Sequence, residues 1–94
     1  MKDVLRQSAL DDLDHIYDWI SRDNPRAASQ MVSRLRDRIS LLEIDALAHM
    51  GRPGLVAGTR ELIEYPYIIV YMVEERAREI VVLAIMHGAQ DRSP

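Results

Sequence analysis

With no cysteine among its 94 residues, the chain can hold no disulfide framework, no thiolate zinc site and no cysteine nucleophile. No apolar run reaches the ~18 residues that a membrane-spanning helix requires. A signal-peptide pattern is missing from Met1-Lys2-Asp3-Val4 onward, which fits a cytoplasmic protein. Lysine is almost absent: Lys2 stands alone, and the other eleven of the twelve basic residues are arginine. Fifteen Asp and Glu outweigh them, for a net charge of −3. Proteins that grip RNA or DNA concentrate positive charge, because neutralised phosphates supply most of the affinity. Here seven basic and nine acidic residues precede Gly51, and five and six follow, with no basic tail. The balance leans toward a protein target, for which arginine is also well suited.

What is present describes one α+β domain spanning residues 1–94. A content of 48% hydrophobic residues supports a packed core, and 29% charged residues suit a water-facing surface. Val4-Leu5-Arg6 reads as a first strand. Ser8 is placed to cap a helix with Asp11 three positions on, and Leu10, Leu13, Ile16, Tyr17 and Ile20 follow at helical spacing. Asn24-Pro25 starts a second helix, with the proline at the first turn, where its missing N–H costs nothing. Its apolar face carries Ala28, Met31, Val32, Leu35, Ile39 and Leu42. So short a connection predicts an antiparallel helix hairpin. Gly51, Pro53, Gly54 and Gly58 then interrupt regular structure from Ala46 to Thr59, a loop of functional length. Strands are expected over 60–65, 67–73 and 80–86, with a turn at Pro66 and a polar tip over 74–78. The order β-α-α-β-β-β places the helix hairpin on one face of an antiparallel-type sheet. Residues 67–73 are apolar on both faces, so either the core is thick or a partner covers the second face.

Few residues carry reactive chemistry. His15, His49 and His87 share no metal-ligand spacing, so no metal and no cofactor is expected. No nucleophile elbow surrounds a serine or threonine, and Gly51-Arg52-Pro53-Gly54 is too sparse for a phosphate-binding loop. His15 reads as a surface or boundary residue of the first helix.

Five blocks recur in a recognisable order: Asn24-Pro25-Arg26-Ala27-Ala28, Gly51-Arg52, Gly58-Thr59-Arg60-Glu61-Leu62, Tyr67-Ile68-Ile69-Val70-Tyr71 and His87-Gly88-Ala89-Gln90. On these blocks the chain resembles the RelE/ParE family of toxins from bacterial type II toxin–antitoxin modules, and among them the ParE-like members. The resemblance spans nearly the whole chain. It implies a toxin held inactive by a cognate antitoxin whose segment folds on binding. One departure is the tail: such chains often end with an aromatic and a proline after the glutamine, where this one reads Asp91-Arg92-Ser93-Pro94.

Two activities occur on this fold, and each makes its own demand on the residues. ParE-like toxins poison DNA gyrase by protein–protein contact, which needs exposed anchors and no catalytic group. On that reading the target-binding candidates are Arg52, Arg60, His87, Gln90 and Arg92, and the antitoxin-binding candidates are Trp19, Leu41, Tyr67 and Tyr71. RelE-like toxins are endoribonucleases that cut messenger RNA on the ribosome. That chemistry needs a base for the 2′-hydroxyl, an acid for the leaving oxygen and a cation for the phosphorane. His87, Arg60 and Arg92 are the alternative catalytic set, expected to converge at one end of the sheet. A further alternative is an inactive toxin homologue that only binds its antitoxin.

Overall fold

A computed structural model describes residues 1–88. Strand β1 (Lys2–Leu5) leads into helices α1 (Gln7–Ser21) and α2 (Pro25–Leu41). A 3-10 turn (Asp45–Leu47) and a two-residue strand β2 (Arg52–Pro53) follow, then β3 (Arg60–Glu64), β4 (Tyr67–Glu74) and β5 (Glu79–His87). The α+β architecture expected from the sequence is present, and the sheet is mixed. Its order is β1-β5-β4-β3-β2, with β1 parallel to β5 and every other pair antiparallel. The parallel pair joins the first and last strands, which the helix hairpin and β2, β3 and β4 separate in the chain. β2 lies within what the sequence marks as loop: Arg52 pairs with Glu61 and Pro53 with Arg60, too brief a match to leave a periodic signal.

Asn24 caps α2 as expected, its Oδ1 accepting from the Ala27 N–H at 3.0 Å, with Pro25 in the first turn. The start of α1 differs. The helix begins at Gln7, and the Arg6 side chain offers no cap. Ser8 instead donates from Oγ to the Leu83 carbonyl oxygen at 2.6 Å, and Asp12 Oδ2 accepts from the Ile85 N–H at 2.8 Å. Both bonds reach one irregularity. Val70 pairs with Ala84 but Tyr71 with Val82, so Leu83 is an extra residue in β5. Two side chains one helical turn apart thereby peg α1 onto backbone groups of the bulged segment.

The helix hairpin covers the sheet face that carries Leu62, Tyr67, Ile69, Tyr71, Ile80, Val82 and Ile85, which pack with Leu13, Ile16, Leu35 and Ile39. On the opposite face, apolar side chains form rows across the strands, such as Ile63–Ile68–Met86 and Met72–Val81–Val4. Ile68 and Val81 are buried there, while Ile63 is exposed. Among the described residues no helix lies on that second face. None of the described helices is long and apolar enough to cross a membrane.

Candidate functional site

The direction of the strands decides what the site residues can do together. β3 and β5 both run antiparallel to β4, so they are parallel to each other. Arg60 opens β3 and sits level with Tyr71 and Val82; His87 closes β5 and sits level with Tyr67 and Glu64. The two are separated by about 13 Å along the strands and about 10 Å across them, taking ~3.3 Å per residue and ~4.8 Å per strand. The expected convergence of His87 and Arg60 is therefore corrected: they occupy opposite ends of the sheet. Gln90 and Arg92 lie outside the described residues.

At the Arg60 end, the guanidinium is already committed. Its Nη1 donates to the carbonyl oxygens of His49 at 3.1 Å and Gly51 at 2.8 Å. Beneath it the Tyr71 hydroxyl accepts from the Gly51 N–H at 3.0 Å and donates to the Ala48 carbonyl at 2.9 Å, all in the interior. Burial pushes the Tyr71 phenol above its usual range, opposed in part by the Gly51 bond and the Arg60 charge. Gly51 is glycine for a steric reason. A Cβ there would stand 2.8 Å from the Tyr71 ring and 2.9 Å from the Glu61 carbonyl oxygen. Arg52 pairs with the buried Glu61 at 3.2 Å yet remains largely in water. An exposed His49–Glu75 contact of 3.0 Å links this loop to the β4–β5 turn. Arg60 thus acts as a clamp that fixes the 48–51 backbone, a role the Gly-Thr-Arg-Glu-Leu block does not announce.

At the His87 end, α1 and the sheet border a groove of about 450 Å³ lined by Asp12, His15, Ile16, Trp19, Tyr67 and His87 among others. Asp12, His15, Ile16 and Trp19 share one stripe of α1 at spacings of three and four. His15, read from the sequence as a bystander, therefore belongs to this groove. The signal that could have found it was that stripe. Tyr67 and His87 meet edge to face, ring centroids 5.4 Å apart, and burial raises the Tyr67 phenol pKa. Trp19 is 68% exposed, with the Arg22 guanidinium 5.4 Å over its ring. A second groove of about 380 Å³ runs past the other side of His87, beside Ile63, Tyr65 and Gly88.

The antitoxin-binding candidates divide. Trp19 and Leu41 are exposed, but they mark opposite ends of the antiparallel hairpin. Tyr71 is wholly buried and Tyr67 nearly so, because both point under the helices. Tyr71 is corrected to a core residue, and Tyr67 reaches the surface only through its groove edge. Among the described residues, no cluster of three or more His, Cys, Asp or Glu could hold a metal ion.

A family described as the ParE toxin of the type II toxin–antitoxin system parDE matches residues 4–92. The chain belongs to the ParE toxin family. It is 39% identical to the Sinorhizobium fredii protein named "Putative toxin Y4kP", over 87% of this chain and 82% of that one. Its fold is similar to a structure titled the chromosomal ParDE TA system from P. aeruginosa, with a TM-score of 0.79 and 29% identity. That likeness covers 93% of this chain and 95% of the other. A toxin–antitoxin complex of Mycobacterium tuberculosis, RelBE2, shares the fold at a TM-score of 0.59 and 18% identity, over 92% and 95%. The RelE/ParE resemblance drawn from the five blocks is thereby shown, and the protein is a ParE-like toxin of a type II module.

Proposed function

We propose that this ParE-family toxin inhibits DNA gyrase by protein–protein contact and is neutralised by a cognate antitoxin. The observation that carries the reading is the separation of Arg60 from His87. A ribonuclease site needs its cation and its proton-transfer group on the same phosphate. These two stand at opposite ends of the sheet, and Arg60 is engaged with two loop carbonyls. The net charge of −3 further favours a protein surface over ribosomal phosphate. On this reading Arg52 contacts the target, and His87 and Tyr67 shape a groove instead of a catalytic centre.

The antitoxin is assigned to the other end. An exposed tryptophan beside a groove that mixes Ile16, Tyr67 and Ile85 with Asp12 and two histidines is the kind of anchor that dominates protein interfaces. An antitoxin segment that folds on binding would lay an apolar side chain against Trp19 and Ile16. That a cognate antitoxin exists at all is supported by two structures of the same fold, both toxin–antitoxin systems.

Expression of the chain alone in a bacterial host tests the proposal, with DNA damage and translation followed separately. Gyrase poisoning predicts an SOS response while protein synthesis continues, and His87→Ala should retain that effect. An immediate stop of translation with messenger RNA cut on ribosomes, abolished by His87→Ala, would overturn it.

A further inference from the structure

Between Arg52 and Arg60 the chain forms a short hairpin that neither the core nor the groove uses. Its ladder runs through Arg52–Glu61 and Pro53–Arg60 and ends with the Gly54 N–H donating to the Thr59 carbonyl at 2.8 Å. The turn is closed on itself: the Thr59 N–H and Oγ1 both reach the Val56 carbonyl, at 3.1 and 2.6 Å. Gly58 supplies the positive φ of +85° that this closure needs. Such a turn presents its tip in a fixed form, and the tip is Leu55 and Val56, 65% and 68% exposed. Among the described residues, these two adjacent branched aliphatic side chains are exposed and belong to no part of the core.

We propose that the β2–β3 hairpin tip, Leu55 and Val56 with Arg52 at its base, is the anchor that docks into an apolar, acid-rimmed pocket on the target protein. The inference rests on the reading of the chain as a protein-binding toxin and adds an apolar anchor to the Arg52 contact that reading names. Charge selects the rim of the pocket. Arg52 gives its Nε and Nη2 to one oxygen of Glu61, and its side chain is still 57% exposed, so its outer N–H groups face water and can receive a carboxylate from a partner. Strand addition is disfavoured as the alternative mode, since Pro53 on the edge strand has no N–H to donate. The clamp by Arg60 and Tyr71 lies at the root of the same hairpin. A tip ordered in advance loses less freedom on docking than a mobile loop. The proposal also separates two surfaces: the target at the hairpin end, the antitoxin at the His87 end.

The test is the double variant Leu55→Asp, Val56→Asp, with Leu55→Ser, Val56→Ser as a milder second form. Each is compared with wild type for growth arrest in cells, inhibition of gyrase supercoiling in vitro, and thermal melting. Both changes lie in water, so melting should stay within a few degrees of wild type. Growth arrest should be lost, and the concentration that half-inhibits supercoiling should rise about tenfold or more, as when an interface anchor is removed. Unchanged arrest and inhibition by both folded variants would overturn the hairpin proposal while leaving gyrase as target. If wild type arrests growth without touching gyrase, and the variants do not arrest it, the hairpin stands and the target assignment falls. A wild-type chain that does neither overturns both. Co-sedimentation of wild type, but not the variants, with anionic phosphatidylserine vesicles would reassign the tip to a lipid surface and also overturn the proposal.

Discussion

Replacing Tyr71 by phenylalanine removes one oxygen atom, and the structure allows the cost to be worked out. That oxygen accepts from the Gly51 N–H and donates to the Ala48 carbonyl, at 3.0 and 2.9 Å. Both partners belong to buried residues, and the ring itself is fully enclosed. Two net hydrogen bonds are worth about 1 kcal/mol each, and stranding a buried donor and acceptor adds to the loss, for about 2–4 kcal/mol in all. A domain of this size has a total stability of about 5–14 kcal/mol, so the variant remains folded but loses a large fraction of its margin. The melting temperature should fall by about 10–25 °C. Urea denaturation is the assay, since an unchanged slope would show that the loss is in stability and not in the unfolded state. Amide exchange should accelerate at Gly51 and its neighbours before it does in β4. A loss below about 0.5 kcal/mol would refute the claim that this hydroxyl pins the 48–51 backbone.

Asp12→Ala frees the Ile85 N–H beside the β5 bulge and should cost about 1–2 kcal/mol, read from the same urea experiment; no loss would mean the α1–β5 peg is ornamental. Asp3 gives a prediction in pH. Burial, followed by the nearby Glu43 carboxylate, raises its pKa above the usual 3.8, so the folded chain takes up a proton more readily than the unfolded one. Stability from this group is therefore full below pH 3.8 and declines as pH rises through the elevated value. Asp3→Asn should melt higher than wild type at pH 7, and the gap should close on acidification toward pH 4; a gap that widens would reverse the sign.

Much of the fold was legible because it depends on periodic or local chemistry. Helical spacing from Leu10 to Ile20 and from Ala28 to Leu42, and Asn24-Pro25 between them, mark the hairpin with its cap. The apolar runs at 67–73 and 80–86 mark the central strands to within a residue or two. What stayed hidden are contacts between segments distant in sequence. Ser8 and Asp12 look like helix-start residues, and only the bulge at Leu83, more than 70 positions away, gives them their partners. β2 is two residues long and carries no pattern. The site suffered most from topology. Arg60 and His87 share an end only if β3 and β5 run in opposite directions, and strand direction is not written in either segment. Residues 67–73 are apolar on both faces, so the sequence does not say which face a partner covers; Tyr71, a candidate antitoxin contact, lies on the face that the helix hairpin covers. In the sequence Gly51 and Arg60 stand out as parts of family blocks, Arg60 also as a candidate target contact or phosphorane cation, and their structural necessity is not visible there. The reason is local packing: a glycine against a phenol ring, and a guanidinium over two carbonyls.

The central claim is that this toxin acts on gyrase by contact alone, and supercoiling by purified gyrase tests it most directly. Added to relaxed plasmid, gyrase and ATP, the chain should block supercoiling and accumulate gyrase-linked cleaved DNA, with His87→Ala equally effective. Gyrase that supercoils at its normal rate in the presence of folded chain, while the same preparation cuts messenger RNA on ribosomes, would contradict the account.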